Sequence, residues 1–122
     1  MIRFAAILTV LAAPVAAQEY PVPSQLSVTL FDTIREVSGP TMRYRFVVPA
    51  IGDVGRIRFA DVAEDFQFLC DVVLLPQLGW SQGEIVISYS SQELPFGEIA
   101  SDITQFFQPF SIQNGRCMWE DF

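Results

Sequence analysis

Alternating hydrophobic and polar residues predict two β-strands in the first half of the chain. In the segment 41–48 every second side chain is apolar or aromatic, and Arg43 and Arg45 lie on the opposite face. A strand-like stretch over 27–37 precedes this segment, and the intervening Ser-Gly-Pro at 38–40 is typical of a turn. We therefore predict a β-hairpin at this place.

The period of the pattern changes after position 60. A helix over 60–75 is predicted by apolar residues that recur at spacings of four, three and four, namely Val62, Phe66, Leu69 and Val73. Three acidic residues crowd its first turns, where negative charge offsets the positive end of the helix dipole: Asp61, Glu64 and Asp65. Pro76 and Gly79 are expected to end the helix.

Three further strands are predicted in the C-terminal half. The segment 84–89 is rich in β-branched residues and is predicted to be a central strand. The dipeptide Asn114-Gly115 between the apolar runs 104–112 and 116–119 predicts a second hairpin. Because Pro109 cannot donate a hydrogen bond to a neighbouring strand, it favours a bulge or an edge position.

The order of these elements predicts an α+β fold. It has two strands, a helix and three strands, so we expect a mainly antiparallel sheet of four to five strands with one helix packed on it. The longest irregular stretch is the loop over 90–102, and loops of this length are often functional. A helix lying on one face of the sheet would bring Cys70 over the C-terminal strand that carries Cys117.

The first 17 residues have the three parts of a secretory signal peptide. Arg3 supplies a positive charge, the segment 4–11 is apolar, and Pro14 precedes small residues at the expected cleavage site after Ala17. The apolar run is too short to serve as a stable membrane anchor. We therefore expect a single periplasmic or secreted domain over 18–122, with no membrane anchor after cleavage.

Export changes the interpretation of the two cysteines. Cys70 and Cys117 allow one intramolecular pairing, and an even number of cysteines in an exported protein favours a disulfide. A redox pair or two free thiols are the alternatives. The chain has no CxxC spacing that would tune a thiolate for redox catalysis.

Composition excludes several classes of function. Without residues 1–17 the chain has 6 Arg against 14 acids, a net charge of −8, which argues against nucleic acid as a partner. The chain has no His and no Lys, so Ser-His and Cys-His catalysis and Schiff-base chemistry are excluded. Zinc sites need His or several Cys. We therefore predict no cofactor, no metal site and no enzymatic activity.

Several short motifs resemble an uncharacterised family of small exported alphaproteobacterial proteins, a domain of unknown function. They are Tyr44–Pro49, Leu69-Cys70, Pro95-Phe96-Gly97, Asp102, Thr104–Phe107, Phe110, Gly115, Cys117 and Trp119–Phe122. The resemblance spans nearly all of the expected mature chain and implies no catalytic residues. Some members of that family carry the label acetolactate synthase, but 105 exported residues cannot house that large thiamine-diphosphate enzyme.

The function favoured by these observations is a non-catalytic periplasmic binding or interaction protein, whose partner would be an unidentified protein or small ligand. The candidate interaction surface combines Phe96 in the long loop with Trp119 and Phe122 at the C-terminal end. The alternative for these aromatic rings is that they fill the core, since aromatic residues dominate small cores.

Two other functions depend on carboxylates. A small hydrolase would need two acids in one cleft, and the candidates are Asp61, Glu64 or Asp65 together with Glu120 or Asp121. Calcium binding would use the same three helix acids, but the chain has no DxDxDG loop and these residues supply too few oxygen ligands.

Overall fold

A computed structural model describes residues 18–53 and 55–121 of the chain. They form a six-stranded β-sheet with one helical crossover packed on one of its faces. The predicted α+β class is thereby confirmed. The predicted signal peptide, residues 1–17, and Phe122 lie outside the described residues.

The strands follow one another across the sheet in chain order. They are β1 (Gln18–Glu19), β2 (Thr29–Arg35), β3 (Thr41–Val47), β4 (Gln82–Ser90), β5 (Gln105–Gln113) and β6 (Arg116–Trp119). Both predicted hairpins are present, since β2 pairs antiparallel with β3 and β5 with β6. In the second hairpin Asn114 and Gly115 have φ of 52° and 71°, the positive values that a tight two-residue turn requires.

The sheet differs from the prediction in strand number and in one pairing. The expected four to five strands become six because β1 adds to the edge of β2. The central strands β3 and β4 are parallel, so the sheet is mixed, although its other four pairings are antiparallel as expected. The helical crossover explains this pairing, because it returns the chain to the end of the sheet at which β3 began.

Pro109 lies in an interior strand, and the expected bulge or edge position is wrong. Strand β5 pairs with β4 over its whole length without a register shift, whereas β6 covers only 110–113. The carbonyl of Pro109 accepts a hydrogen bond from the amide of Glu120 at 3.2 Å, so the backbone polar groups of Pro109 point toward β6 and away from β4. The missing N–H therefore costs no bond to β4.

The connection from β3 to β4 is mostly helical. It contains a 3₁₀ turn (Pro49–Gly52), α1 (Phe59–Phe68), a π-helical segment (Leu69–Leu74) and α2 (Leu75–Leu78). We call the last three parts together the crossover helix. Pro76 lies inside its last turn instead of ending it, and the helix ends at Gly79, which has a φ of 64°. Because a proline ring crowds the preceding helical turn, the wider π turn directly before it gives the ring room.

The π-helical segment also changes which residues face the sheet. Val62, Phe66 and Leu69 are buried as predicted. Val73, which the regular helical spacing predicted to be buried, is only half-buried, and Leu74 is buried in its place. A π turn contains more residues than an α turn, so the buried face moves forward by one residue.

A disulfide joins the crossover helix to the last strand. Cys70 in the π-helical segment is bonded to Cys117 in β6, and their Cα atoms are 6.2 Å apart. Both residues belong to the buried core. The predicted pairing is confirmed, and it holds the helix over the edge of the sheet.

Asp65 is a buried carboxylate that joins three parts of the chain. Its Oδ1 accepts the backbone amide of Ser24 at 2.8 Å, and its Oδ2 accepts the hydroxyl groups of Ser24 at 2.6 Å and of Tyr89 at 3.0 Å. Tyr89 is itself fully buried, with its ring against Phe46 and Phe66. These bonds fasten the N-terminal segment to the crossover helix and to β4.

Removing the disulfide should lower stability without changing the fold. The bridge closes a loop with a sequence separation of 47, and the chain-entropy model gives about 4 kcal/mol for a loop of that length. We expect the double variant Cys70→Ala/Cys117→Ala to lose about this much unfolding free energy in urea. The wild-type protein under reducing conditions is the matched control, and equal midpoints for oxidised and reduced protein would contradict the expectation.

The stability should also fall at alkaline pH. Burial raises the pKa of Tyr89, and the neighbouring Asp65 carboxylate raises it further. An unfolded tyrosine ionises near pH ~10, so this contribution is full below that pH and is lost as the pH rises above it. We expect Tyr89→Phe to flatten the fall in unfolding free energy by up to about 1.4 kcal/mol per pH unit. Urea unfolding at a series of pH values measures this slope, and an unchanged slope would contradict the assignment.

Candidate functional site

The face of the sheet opposite the crossover helix carries a pocket. The three central strands contribute side chains that lie beside one another in the strand register: Arg43, Arg45, Val86, Ser88, Gln105 and Phe107. The loop between β4 and β5 crosses this face, and its residues 96–99 complete the wall. The cavity is partly open to solvent and has a volume of about 240 Å³. We call it the sheet-face pocket.

Arg45 anchors the loop to the sheet. Its side chain is almost fully buried, with Nη1 donating to Asp32 Oδ2 at 2.7 Å and Nη2 donating to the carbonyl of Leu94 at 2.6 Å. A buried guanidinium needs such partners because its desolvation is costly. Since Leu94 belongs to the loop and Asp32 to β2, one side chain of β3 ties the loop to two strands of the sheet.

Phe96 lies next to both arginines of β3. The guanidinium carbons of Arg43 and Arg45 are each 5.6 Å from the centre of its ring, and Arg45 also lies 4.9 Å from the ring centre of Phe31. These distances are in the range of cation–π attraction. The ring of Phe96 is nevertheless 56% exposed, so it is held in position at the surface and does not fill the core.

Arg43 is the less constrained of the two arginines. Its Nε donates to Glu36 Oε1 at 2.6 Å, and its side chain is 29% exposed. Among the residues that the structure describes, none accepts a hydrogen bond from its terminal nitrogens Nη1 and Nη2. Arg43 thus has free donors on a partly exposed side chain that lines the pocket, whereas both terminal nitrogens of Arg45 are bonded within the protein.

Exposed apolar side chains are concentrated around this pocket. Ile99 is 90% exposed and Phe107 is 43% exposed, and both line the cavity together with Phe96. Val86 on β4 is apolar as well and lines the same cavity. The site is therefore an apolar concavity with two guanidinium groups on one side.

The predicted interaction surface is only partly reproduced. Phe96 and Trp119 are both partly exposed, but they line different pockets. The ring of Trp119 packs on the opposite, helix-bearing side of the sheet, 5.5 Å from Phe110 and 6.1 Å from Phe59. Phe107 lines both pockets and lies between them. The third predicted residue, Phe122, lies outside the described residues.

The acidic candidates are not brought together. Glu120 and Asp121 line the pocket beside Trp119, and none of the three helix acids lines it. Asp61 is an exposed capping residue whose carboxylate accepts the amide of Arg58 at 2.8 Å. Glu64 is exposed as well, whereas Asp65 is buried in its network with Ser24 and Tyr89 and is not the solvated cap expected of a first-turn acid.

Within residues 18–53 and 55–121, no group of three or more His, Cys, Asp or Glu side chains is arranged to hold a metal ion. Asp61, Glu64 and Asp65 accordingly do not form such a group. In the same part of the chain, no helix has the length and apolar character needed to cross a membrane.

Sequence analysis placed both arginines on one face of a strand but did not assign them to a site. A signal for the site was present in β4, where Val86, Ser88 and Ser90 occupy the same face as the arginines of β3. The small side chains of Ser88 and Ser90 leave room beside the arginines. Ile99 and Phe107 carried no distinguishing signal, because their exposure depends on how the loop folds.

The fold and the pocket define a small disulfide-linked α+β domain with a candidate ligand site on its uncovered sheet face. A family model matches residues 6–122 and describes a family of unknown function, DUF6497. The chain belongs to this family, which confirms the resemblance to an uncharacterised family and assigns no activity. Among curated proteins and among solved structures, none matches this chain.

Replacing Arg45 should loosen the loop over the pocket. In Arg45→Met the apolar stem is kept, but the carbonyl of Leu94 and the carboxylate of Asp32 lose their donor. We expect a loss of about 2 kcal/mol of unfolding free energy, less than for a fully buried ion pair, because Asp32 is partly exposed and can be hydrated. We also expect faster amide hydrogen exchange in the loop. Arg35→Met, on an exposed position of β2, is the matched control.

Proposed function

We propose that this protein is a non-catalytic binding protein that acts in the periplasm or after secretion and holds a small, mainly apolar ligand in the sheet-face pocket. One observation carries the proposal. Three exposed apolar side chains, Phe96, Ile99 and Phe107, converge on a single cavity whose loop is anchored by a buried arginine. Isolated exposed apolar residues are normal on protein surfaces, but a cluster around a cavity is characteristic of binding sites.

The size of the cavity favours a small molecule over a protein partner. A volume of about 240 Å³ corresponds to the liquid volume of about eight water molecules. A short alkyl chain or one aromatic ring fills such a space, whereas a protein interface of ordinary size covers far more surface. Anchoring of the loop through Arg45 also supports a preformed site, because ordering it on binding would cost affinity.

The chemistry of the lining residues supports binding without catalysis. The charged groups of the pocket are Arg43, Arg45 and Glu98. A guanidinium stays protonated in proteins and cannot serve as a general base. Ser88 lines the pocket as well, but the described lining residues offer it no His or Lys as an activating base. Arginines and aromatic rings in this arrangement bind and orient a ligand.

Two observations support a location outside the cytoplasm. The buried bond between Cys70 and Cys117 is of the kind that persists in oxidising compartments. Residues 1–17 have the charge and hydropathy pattern of a secretory signal peptide. Binding in such a compartment fits an acidic domain without Lys, which has no cationic surface for nucleic acid.

Binding of a simple apolar probe tests the proposal. We expect 1-octanol, followed by two-dimensional NMR, to shift the amide signals of 96–99 and of β4 and β5 around the pocket, with a Kd on the order of 1 mM. Ile99→Ser should weaken this binding about tenfold, because it removes roughly two methylene groups of apolar contact.

Val37→Ser provides a matched control for this experiment. Val37 is fully exposed like Ile99, but it lies in the first hairpin and lines another pocket. The control variant should bind as the wild type does. If octanol shifts no signals around the sheet-face pocket up to its solubility limit, or shifts them equally in all three proteins, the proposed function is wrong.

A further inference from the structure

The inference concerns the chemical class of the ligand and rests on the proposed function. We infer that the sheet-face pocket binds a small organic acid, with its carboxylate on the terminal nitrogens of Arg43 and its apolar part between Phe96 and Phe107. The pocket would then distinguish an acid from the neutral molecule of the same shape. Three observations about the charges around the cavity support this assignment.

The first observation is the unused donor edge of Arg43. The bond from Nε to Glu36 fixes one edge of the guanidinium, while Nη1 and Nη2 have no acceptor among the described residues. Two parallel N–H groups of an arginine match the two oxygens of a carboxylate. The contact with Phe96 holds the plane of the group beside the apolar wall. The donors are therefore positioned before a ligand arrives.

The second observation is that both terminal nitrogens of Arg45 are in use and that its side chain is already paired with Asp32. Its Nη1 and Nη2 already donate to Asp32 and Leu94, and it is nearly inaccessible to solvent. Arg43 is thus the group that contacts the carboxylate, and Arg45 positions the loop. Because Asp32 offsets the charge of Arg45, the attraction for an anion comes from the donors of Arg43.

The third observation is that a cationic ligand is disfavoured at the aromatic ring. Two guanidinium groups already lie 5.6 Å from the ring centre of Phe96, so a further cation there would meet two like charges. Glu98 is the negative group in the pocket lining, and it is exposed to solvent. Because Glu98 is exposed, water screens its charge, and its repulsion of a bound carboxylate is weak.

A matched series of probes tests the inference: octanoate, 1-octanol and octylamine in its protonated form. By NMR titration we expect octanoate to bind about five- to tenfold more tightly than octanol, and octylammonium to bind more weakly than octanol. The preference for octanoate should decrease as the ionic strength rises from about 10 mM to 1 M.

Variants of Arg43 separate the carboxylate contact from the apolar pocket. Arg43→Gln should bring the affinity for octanoate down to that for octanol and leave octanol binding within about twofold of the wild type, since the apolar wall stays. Arg43→Lys keeps the charge without the paired donors and should restore part of the preference. Arg35→Gln removes an exposed arginine that does not line this pocket and should change neither affinity.

The outcomes distinguish the inference from the function on which it rests. Equal affinities for octanoate and octanol in the wild type would overturn the inference and leave the apolar site intact. Tighter binding of octylammonium would also overturn it. A preference for octanoate that persists in Arg43→Gln would assign the carboxylate to another group and overturn the role of Arg43. Absence of binding for all three probes would overturn the proposed function as well.

Discussion

One helix covers one face of a six-stranded sheet, and the other face has to be covered in another way. On that second face the central strand β3 carries Arg45, whose guanidinium is removed from water and must find its hydrogen bonds within the protein. Asp32 on the neighbouring strand and the carbonyl of Leu94 supply them. This requirement draws the loop between β4 and β5 across the sheet, and the space left beneath the loop is the sheet-face pocket.

The two faces are therefore held by different forces. The helix side is an apolar and aromatic core that includes Phe46, Phe66 and Tyr89, with Asp65 as its buried polar centre. Burial of these side chains and the disulfide stabilise the domain as a whole. The pocket side gains less from burial and more from charged hydrogen bonds. Such a division leaves apolar side chains exposed at the pocket while a rigid sheet supports them, and a preformed binding site needs this combination.

Local sequence signals predicted the parts of the fold that depend on nearby residues. The turn at 38–40, the Asn114-Gly115 turn and the periodicity of α1 each act over a few positions, and all three are present. The predicted helical spacing was wrong beyond Leu69, because it assumed a constant number of residues per turn and the π-helical segment has more. The long loop, which its length had singled out, lines the sheet-face pocket, but Trp119 lies on the other side of the sheet.

Sequence patterns predicted the order of β2, β3, the crossover helix, β4, β5 and β6, and they placed Arg43 and Arg45 on one face of a strand. They favoured, but did not require, a disulfide between Cys70 and Cys117. Periodicity reports which side chains share a face, and a single cysteine pair leaves no choice of partner. Periodicity does not report what lies against that face. The burial of Asp65 and the contact of the Arg45 guanidinium with a loop 49 residues away are visible in the folded protein alone, because both depend on contacts between distant parts of the chain.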